Sequence, residues 1–309
     1  MSTVMSTILP VILLLLLGMF CRRSQMLTKE QMDGIKKLSV QFLWPVVLFY
    51  AFFTADYGKE VLVLAAVNFI AQTALFFTGR LLRSRIRGEH AFSYPYLLSG
   101  CEIGMLGYPL YTLLFHGHSI AYLAMLDIGH AFFIFPIFIN MLQLEQSEVK
   151  SAGEQIRSML LSPIVISLVV GIAAGVSGFS KVFMASGAGE VLNSIYNLAS
   201  SANTVTILLA MGYGISITAD QLRKVSRVMV MRFAGMAVCA AFAIFVSGLF
   251  LDRDIYMTGA ILLMFVMPPV YLLGVYTKDE KENSFMTTMT SIYTVFSILV
   301  FMILAVFLH

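Results

Sequence analysis

Ten apolar stretches alternate with short polar connections along this 309-residue chain. They cover approximately residues 4–21, 38–55, 61–79, 93–115, 119–143, 158–176, 191–217, 226–249, 254–276 and 284–308. Crossing about 30 Å of hydrocarbon takes roughly 20 residues of helix at 1.5 Å each, so each stretch can span a bilayer. Only 12% of the residues are charged and the mean hydropathy is +0.87. A soluble domain carries about 25% charge, too much for lipid and too little here for water. The chain is therefore expected to be an all-α integral membrane protein of ten transmembrane helices. Cys21, Cys101 and Cys239 lie in or beside apolar runs without metal or disulfide spacing. Arg22 and Arg23 follow the first apolar run rather than precede it, which reads as a first helix and not a secretory leader.

The basic residues test that count. Every second connection holds most of them: Arg22, Arg23, Lys29, Lys36 and Lys37 in the first, and Arg80, Arg83, Arg85 and Arg87 in the next. Then come Lys150 and Arg157, then Arg223, Lys224 and Arg227, and last Lys278 and Lys281. The alternate connections hold Lys59, Lys181 and Arg253 alone. Short loops rich in Lys and Arg stay in the cytoplasm, so both termini are expected outside it. The expected location is the plasma membrane, as in a bacterial inner membrane. Arg232, the remaining basic residue, reads as a snorkelling side chain near the cytoplasmic face.

The chain also repeats. Pro10 and Gly18 bracket PVILLLLLG, and Pro163 and Gly171 bracket PIVISLVVG at the same spacing. Downstream of each comes a proline-interrupted run, GMLGYPL around Pro109 and MFVMPPVYLLG around Pro268 and Pro269. Residues 1–143 and 158–309 thus read as two five-helix copies joined by a cytoplasmic linker, 144–157. An odd number of spans per copy inverts the second, an arrangement found in secondary transporters.

Proline removes a backbone N–H, and carbonyls freed within lipid depth need a partner. Breaks in the fourth and ninth helices would meet near the midplane and point half-helix N-termini at a gap. Such ends attract a carboxylate without needing Lys or Arg. Gly107, Tyr108, Pro109, Pro268, Pro269 and Tyr271 are the expected substrate-binding residues beside the breaks, with Gly104 and Gly274 allowing close backbone approach. Intramembrane ionisable groups mark function. Glu102 precedes Pro109 by seven residues. A neutral Glu102 would couple transport to protons and contribute to the binding site. Asp127 lies about 12 Å into the fifth helix, with His130 one turn on. The pair reads either as a proton relay or as a structural tie to neighbouring helices. Asn203 and Thr204, in a polar cluster of helix seven, read either as substrate contacts or as helix packing.

ILPVILLLLLGMF, QFLWPVVLFYAFF, CEIGMLGYPLYTLLFHG, LLSPIVISLVVGIAAG and FVMPPVYLLGVYTKD together resemble the auxin efflux carrier family, which includes plant auxin exporters and bacterial carriers of malate or malonate type. The resemblance covers nearly the whole chain and is to a bacterial member. It implies a fold similar to that of bile acid/sodium symporters, with helices four and nine crossing at Pro109 and Pro268. It further implies a carboxylate-bearing substrate at the crossing, an elevator-like motion and a homodimer. Glu102 replaces the family's fourth-helix Asn, and Val205 or Thr206 stands where a helix-seven proline is common.

These readings converge on a secondary transporter of a small organic anion, a mono- or dicarboxylate. Alternatives are a cation-coupled carrier of a neutral or cationic solute, with Glu102 and Asp127 as ligands, and a non-transporting membrane receptor. Without G-x-x-x-x-G-K-[ST], H-E-x-x-H or G-x-S-x-G, no ATPase or hydrolase constellation is visible, and no enzyme is expected. No cofactor is expected beyond a coupling H+ or Na+, and no nucleic-acid partner.

Overall fold

A computed structural model describes residues 2–55, 57–85, 90–146, 163–214, 219–271, 273 and 277–308. Among them there are helices and no strand. The order is α1 (Ser2–Arg23), α2 (Lys29–Leu38), α3 (Trp44–Phe53), α4 (Lys59–Arg85), α5 (Tyr94–Leu98), α6 (Tyr108–Leu114), α7 (Ala121–Phe133) and α8 (Asn140–Glu145). The second half holds α9 (Pro163–Val176), α10 (Phe179–Met184), α11 (Gly187–Gly214), α12 (Ala219–Phe250), α13 (Ile255–Val266) and α14 (Glu280–Phe307). A helix overlies each of the ten apolar stretches. Among the described residues, five runs are long and apolar enough to cross a membrane: Lys29–Phe53, Lys59–Arg85, Ala121–Glu145, Leu222–Phe250 and Glu280–Phe307. Val165–Val176 and Ile255–Val266 are shorter apolar helices. Of the linker expected at 144–157, residues 147–157 lie outside the described residues, as does Gly274.

Three prolines sit at wide π turns. Ser39–Leu43 leads into Pro45, Ile103–Gly107 leads into Pro109, and Ile134–Ile139 contains Pro136. A π turn absorbs the bond that a proline cannot donate, so the helix path continues past it. Pro109 accordingly falls in the first turn of α6, where its missing N–H has no intrahelical partner to lose. The actual interruption lies upstream, at Ser99–Glu102, where Gly100 takes φ +69°. This corrects the expected site of the first break. A left-handed glycine, not the proline, turns the chain. The second interruption follows Val266 and includes Pro268 and Pro269.

The helices pack in two groups, each drawing on both halves of the chain. In one, α1 lies along α11 while α3 lies along α9 and α11. In the other, α4 packs on α5, α7 and α12, and α13 packs on α7, α12 and α14. Glycine sets the closest approaches of the first group. A Cβ on Gly18 would stand 2.1 Å from the Leu209 carbonyl oxygen, and one on Gly212 would stand 2.1 Å from that of Leu15. Gly171 meets the backbone of Phe49 on α3, where a Cβ would come within 2.9 Å. Small residues let helices approach backbone to backbone, which drives association where lipid replaces water. Large apolar side chains such as Leu13, Leu62, Leu81, Val238, Phe245 and Phe307 stand exposed around the outside. Water would not tolerate so much contiguous apolar surface.

Gly212→Leu is therefore expected to destabilise the protein by about 3 kcal/mol or more, because neither backbone can retreat. Gly34→Ala, on α2 with nothing within 4 Å of its added Cβ, is expected to hold or raise the melting temperature. Thermal unfolding of the two variants in the same detergent checks the contrast.

Candidate functional site

The two interruptions meet. The Glu102 N–H donates to the Pro268 carbonyl at 2.8 Å, and the Glu102 carboxylate accepts the Tyr271 N–H at 2.8 Å. The two interruptions are thus joined through Glu102, which bonds Pro268 and Tyr271. Pro109, Gly107 and Tyr108 follow in the turn and helix that leave it.

Every polar backbone group freed here has to be matched, since lipid supplies no partner. The Gly100 N–H donates to Gln72 Oε1 at 2.9 Å, and the Cys101 N–H donates to His130 Nε2 at 3.0 Å. On the acceptor side, Arg232 serves both breaks. Its Nη1 donates to the carbonyls of Leu97 at 2.8 Å and Ser99 at 3.2 Å. Its Nη2 donates to those of Gly100 at 2.7 Å and Met267 at 2.9 Å. The Tyr293 ring lies 5.1 Å from the guanidinium carbon, a cation–π contact. Ser297 completes the set by donating to the Val266 carbonyl at 2.6 Å.

The expectation of a snorkelling Arg232 near the cytoplasmic face is therefore corrected. Arg232 is 0% exposed. Helix α12 begins at Ala219, earlier than the apolar run suggests, so Arg232 lies about 20 Å along it. Its rigid fork suits an array of carbonyls that no single hydroxyl or amide could satisfy.

Asp127 and His130 stand together behind the first break. The Cys101 N–H occupies His130 Nε2 as an acceptor, so the ring proton lies on Nδ1 and points to Asp127 Oδ1 at 3.3 Å. The other carboxylate oxygen accepts the Tyr108 hydroxyl at 3.0 Å. A chain of contacts thus runs from Tyr108 through Asp127 and His130 to Cys101, the neighbour of Glu102. Asn203 and Thr204 lie elsewhere. The Ser39 hydroxyl, in the π turn between α2 and α3, donates to Asn203 Oδ1, and Thr204 bonds the Ser200 carbonyl of its own helix. The Trp44 ring lies where a Cβ on Gly104 would be, so α3 contacts the turn after the first break.

A cavity of about 310 Å³ opens beside the second break. Val270 and Tyr271 line it, together with Ile207, Ala210, Met211 and Gly214 of α11. Thr287, Thr290, Ser291 and Thr294 of α14 and Lys36 of α2 line it as well. The Tyr271 hydroxyl pairs with Thr294 Oγ1 at 2.9 Å. Thr290 Oγ1 is buried without a partner among the described residues. Lys36 is half exposed and lies 3.6 Å from Asp33, a surface pair of little strength. A few placed polar groups in a mostly apolar pocket of a few hundred Å³ is the usual form of a small-molecule site.

Of the expected binding residues, Tyr271 alone lines this cavity. Lys36 and the α14 hydroxyls had been passed over. The spacing of Thr287, Thr290, Ser291 and Thr294, at i, i+3, i+4 and i+7, was the available signal for a polar face on an apolar helix.

Residues 3–308 match the family model described as membrane transport protein. No curated protein matches the chain. With the match spanning essentially the whole chain, this protein belongs to the auxin efflux carrier family of membrane transport proteins.

Proposed function

We propose that the protein is a secondary transporter carrying a small organic anion, a mono- or dicarboxylate, across the plasma membrane. In this reading it crosses the membrane ten times as two inverted five-helix repeats, 1–143 and 158–309, with both termini outside the cytoplasm. One packing group slides past the other in an elevator-like cycle, and the working unit is a homodimer in the lipid bilayer. The observation that carries the proposal is the cavity beside the meeting point of two interrupted helices. One charged side chain, Lys36, lines it, and α14 lays four hydroxyls along the wall. Hydroxyl donors and an ammonium together suit a carboxylate.

The repeat reading is supported by exchanged contacts. Gly18 of the first helix meets α11 in the seventh span, and Gly171 of the sixth meets α3 in the second. The charge pattern supports an inward-opening cavity, because Lys36 and Thr287 lie near loops that the basic residues assign to the cytoplasm. The carboxylates Glu102 and Asp127 are engaged by Tyr271, Tyr108 and His130, which disfavours a carrier that uses them as ligands for a cationic solute.

Uptake of labelled mono- and dicarboxylates into proteoliposomes tests the proposal. Lys36→Met and Thr290→Val are expected to raise the KM about tenfold, the loss of one charge-assisted contact, with little change in folded yield. Flux no greater than in protein-free vesicles for every carboxylate would sink the reading.

A further inference from the structure

We propose that Arg232 is a tethered cation: its guanidinium fills a backbone-carbonyl cage, built by both helix interruptions, that would otherwise hold a sodium ion. The transport cycle of this protein is accordingly independent of sodium.

Four carbonyl oxygens converge on one side chain. Leu97 lies at the end of α5 just before the first interruption, Ser99 and Gly100 lie in it, and Met267 comes from the second. Unwound carbonyls at interrupted helices are what carriers use to coordinate a coupling cation. A set drawn from both interruptions is suited to that task, because occupancy ties the two together. Here the position is taken. The guanidinium nitrogens stand 2.7 to 3.2 Å from those oxygens and the side chain is 0% exposed. The group is always charged, so it cannot vacate the cage by losing a proton.

Among the described residues no carboxylate lies within ion-pair distance of Arg232, and its Nε–H has no partner. The carbonyls, rather than an acid, therefore position it. A second cation at the same oxygens would sit against a full positive charge in a low-dielectric site, where repulsion exceeds any gain in coordination. What a free ion would do by binding and leaving, Arg232 does permanently. The interruptions stay pinned through the cycle, and no sodium gradient is spent.

The inference rests on the carrier reading but is tested by ion binding, which needs no substrate. The melting temperature of the detergent-purified full chain is measured in sodium, potassium and choline chloride at matched ionic strength, for the wild type, Arg232→Ala and Arg232→Lys. The wild type is expected to melt at the same temperature in all three salts. Arg232→Ala is expected to melt lower and to regain about 3 °C or more in sodium relative to choline, saturably, because the emptied cage now binds the ion. Arg232→Lys keeps a charge in the cage and is expected to show no sodium response. A saturable, sodium-specific rise in the wild type overturns the proposal. So does a folded Arg232→Ala that answers no cation. If Arg232→Ala does not fold, the wild type and Arg232→Lys decide: sodium indifference in both supports the proposal, and a sodium-specific rise in either overturns it. Absent carboxylate flux alongside these ion results would remove the carboxylate reading and leave the tethered cation standing.

Discussion

Arg232→Met is expected to be the most damaging single substitution in the protein, lowering its stability by more than about 4 kcal/mol. Methionine fills much of the same volume and suits an apolar surrounding, so packing is not what fails. What fails is the matching of four carbonyls. Each buried acceptor left without a donor costs about 1–3 kcal/mol, and the carbonyls of Leu97, Ser99, Gly100 and Met267 all lose theirs together. Water entering from the cavity side could satisfy some of them, which makes 4 kcal/mol a floor of about one unit per group rather than the full sum. Arg232→Lys should fall between, since an ammonium keeps the charge but cannot spread donors across the array as a planar fork does. Thermal unfolding and the monodisperse fraction on size exclusion read the order Arg, Lys, Met. A methionine variant as stable as the wild type would mean that the interruptions are held by their other bonds alone.

Glu102→Gln is expected to abolish the pH dependence of uptake and to slow it about tenfold under acidic conditions, about 1.4 kcal/mol in the barrier. The Glu102 carboxylate accepts the Tyr271 N–H at the crossing, so while it is charged it holds an amide that a substrate carboxylate would also seek. Taking up a proton weakens that hold and frees the amide, which links proton uptake to substrate entry. Glutamine keeps the size and one acceptor oxygen but can neither gain nor lose a proton. Asp127 and His130 connect to the same turn through the Cys101 N–H, so Asp127→Asn should blunt the pH profile without flattening it. Uptake at acidic and neutral pH, in vesicles with no membrane potential, separates these outcomes. A Glu102→Gln protein that follows the wild-type profile would place proton coupling elsewhere or exclude it.

Much of the architecture was legible because lipid makes sequence unusually explicit. A bilayer forbids exposed charge and unmatched backbone, so each helix announces itself as an apolar run and each end as a polar one. All ten expected stretches carry a helix, and Glu102, Pro268 and Tyr271, which stand in or beside the proline-marked runs of the sequence, are in contact. The location of the first break was misread because proline is a conspicuous signal and a left-handed glycine is not. A π turn can absorb the one, while only the backbone torsion reveals the other. Thr204 was left open between substrate contact and helix packing for a similar reason. A polar side chain on an apolar helix can bond its own preceding turn, and nothing local distinguishes that from a ligand contact.

By itself, then, the sequence determined the solvent, the helices and the family, since each of these follows from local composition under a strict rule about buried polar groups. Only the tertiary structure decided where the first interruption falls and what the two interruptions bind to. Arg232 follows Arg223, Lys224 and Arg227 and reads as the last of a cytoplasmic cluster. Its partners lie more than a hundred residues away in one direction and on the next helix in the other. The cavity likewise joins Lys36 to Thr287 and Thr290 from opposite ends of the chain. Hydrogen bonding is short-ranged, so which donor reaches which carbonyl depends on how the helices pack, a property that no segment carries alone.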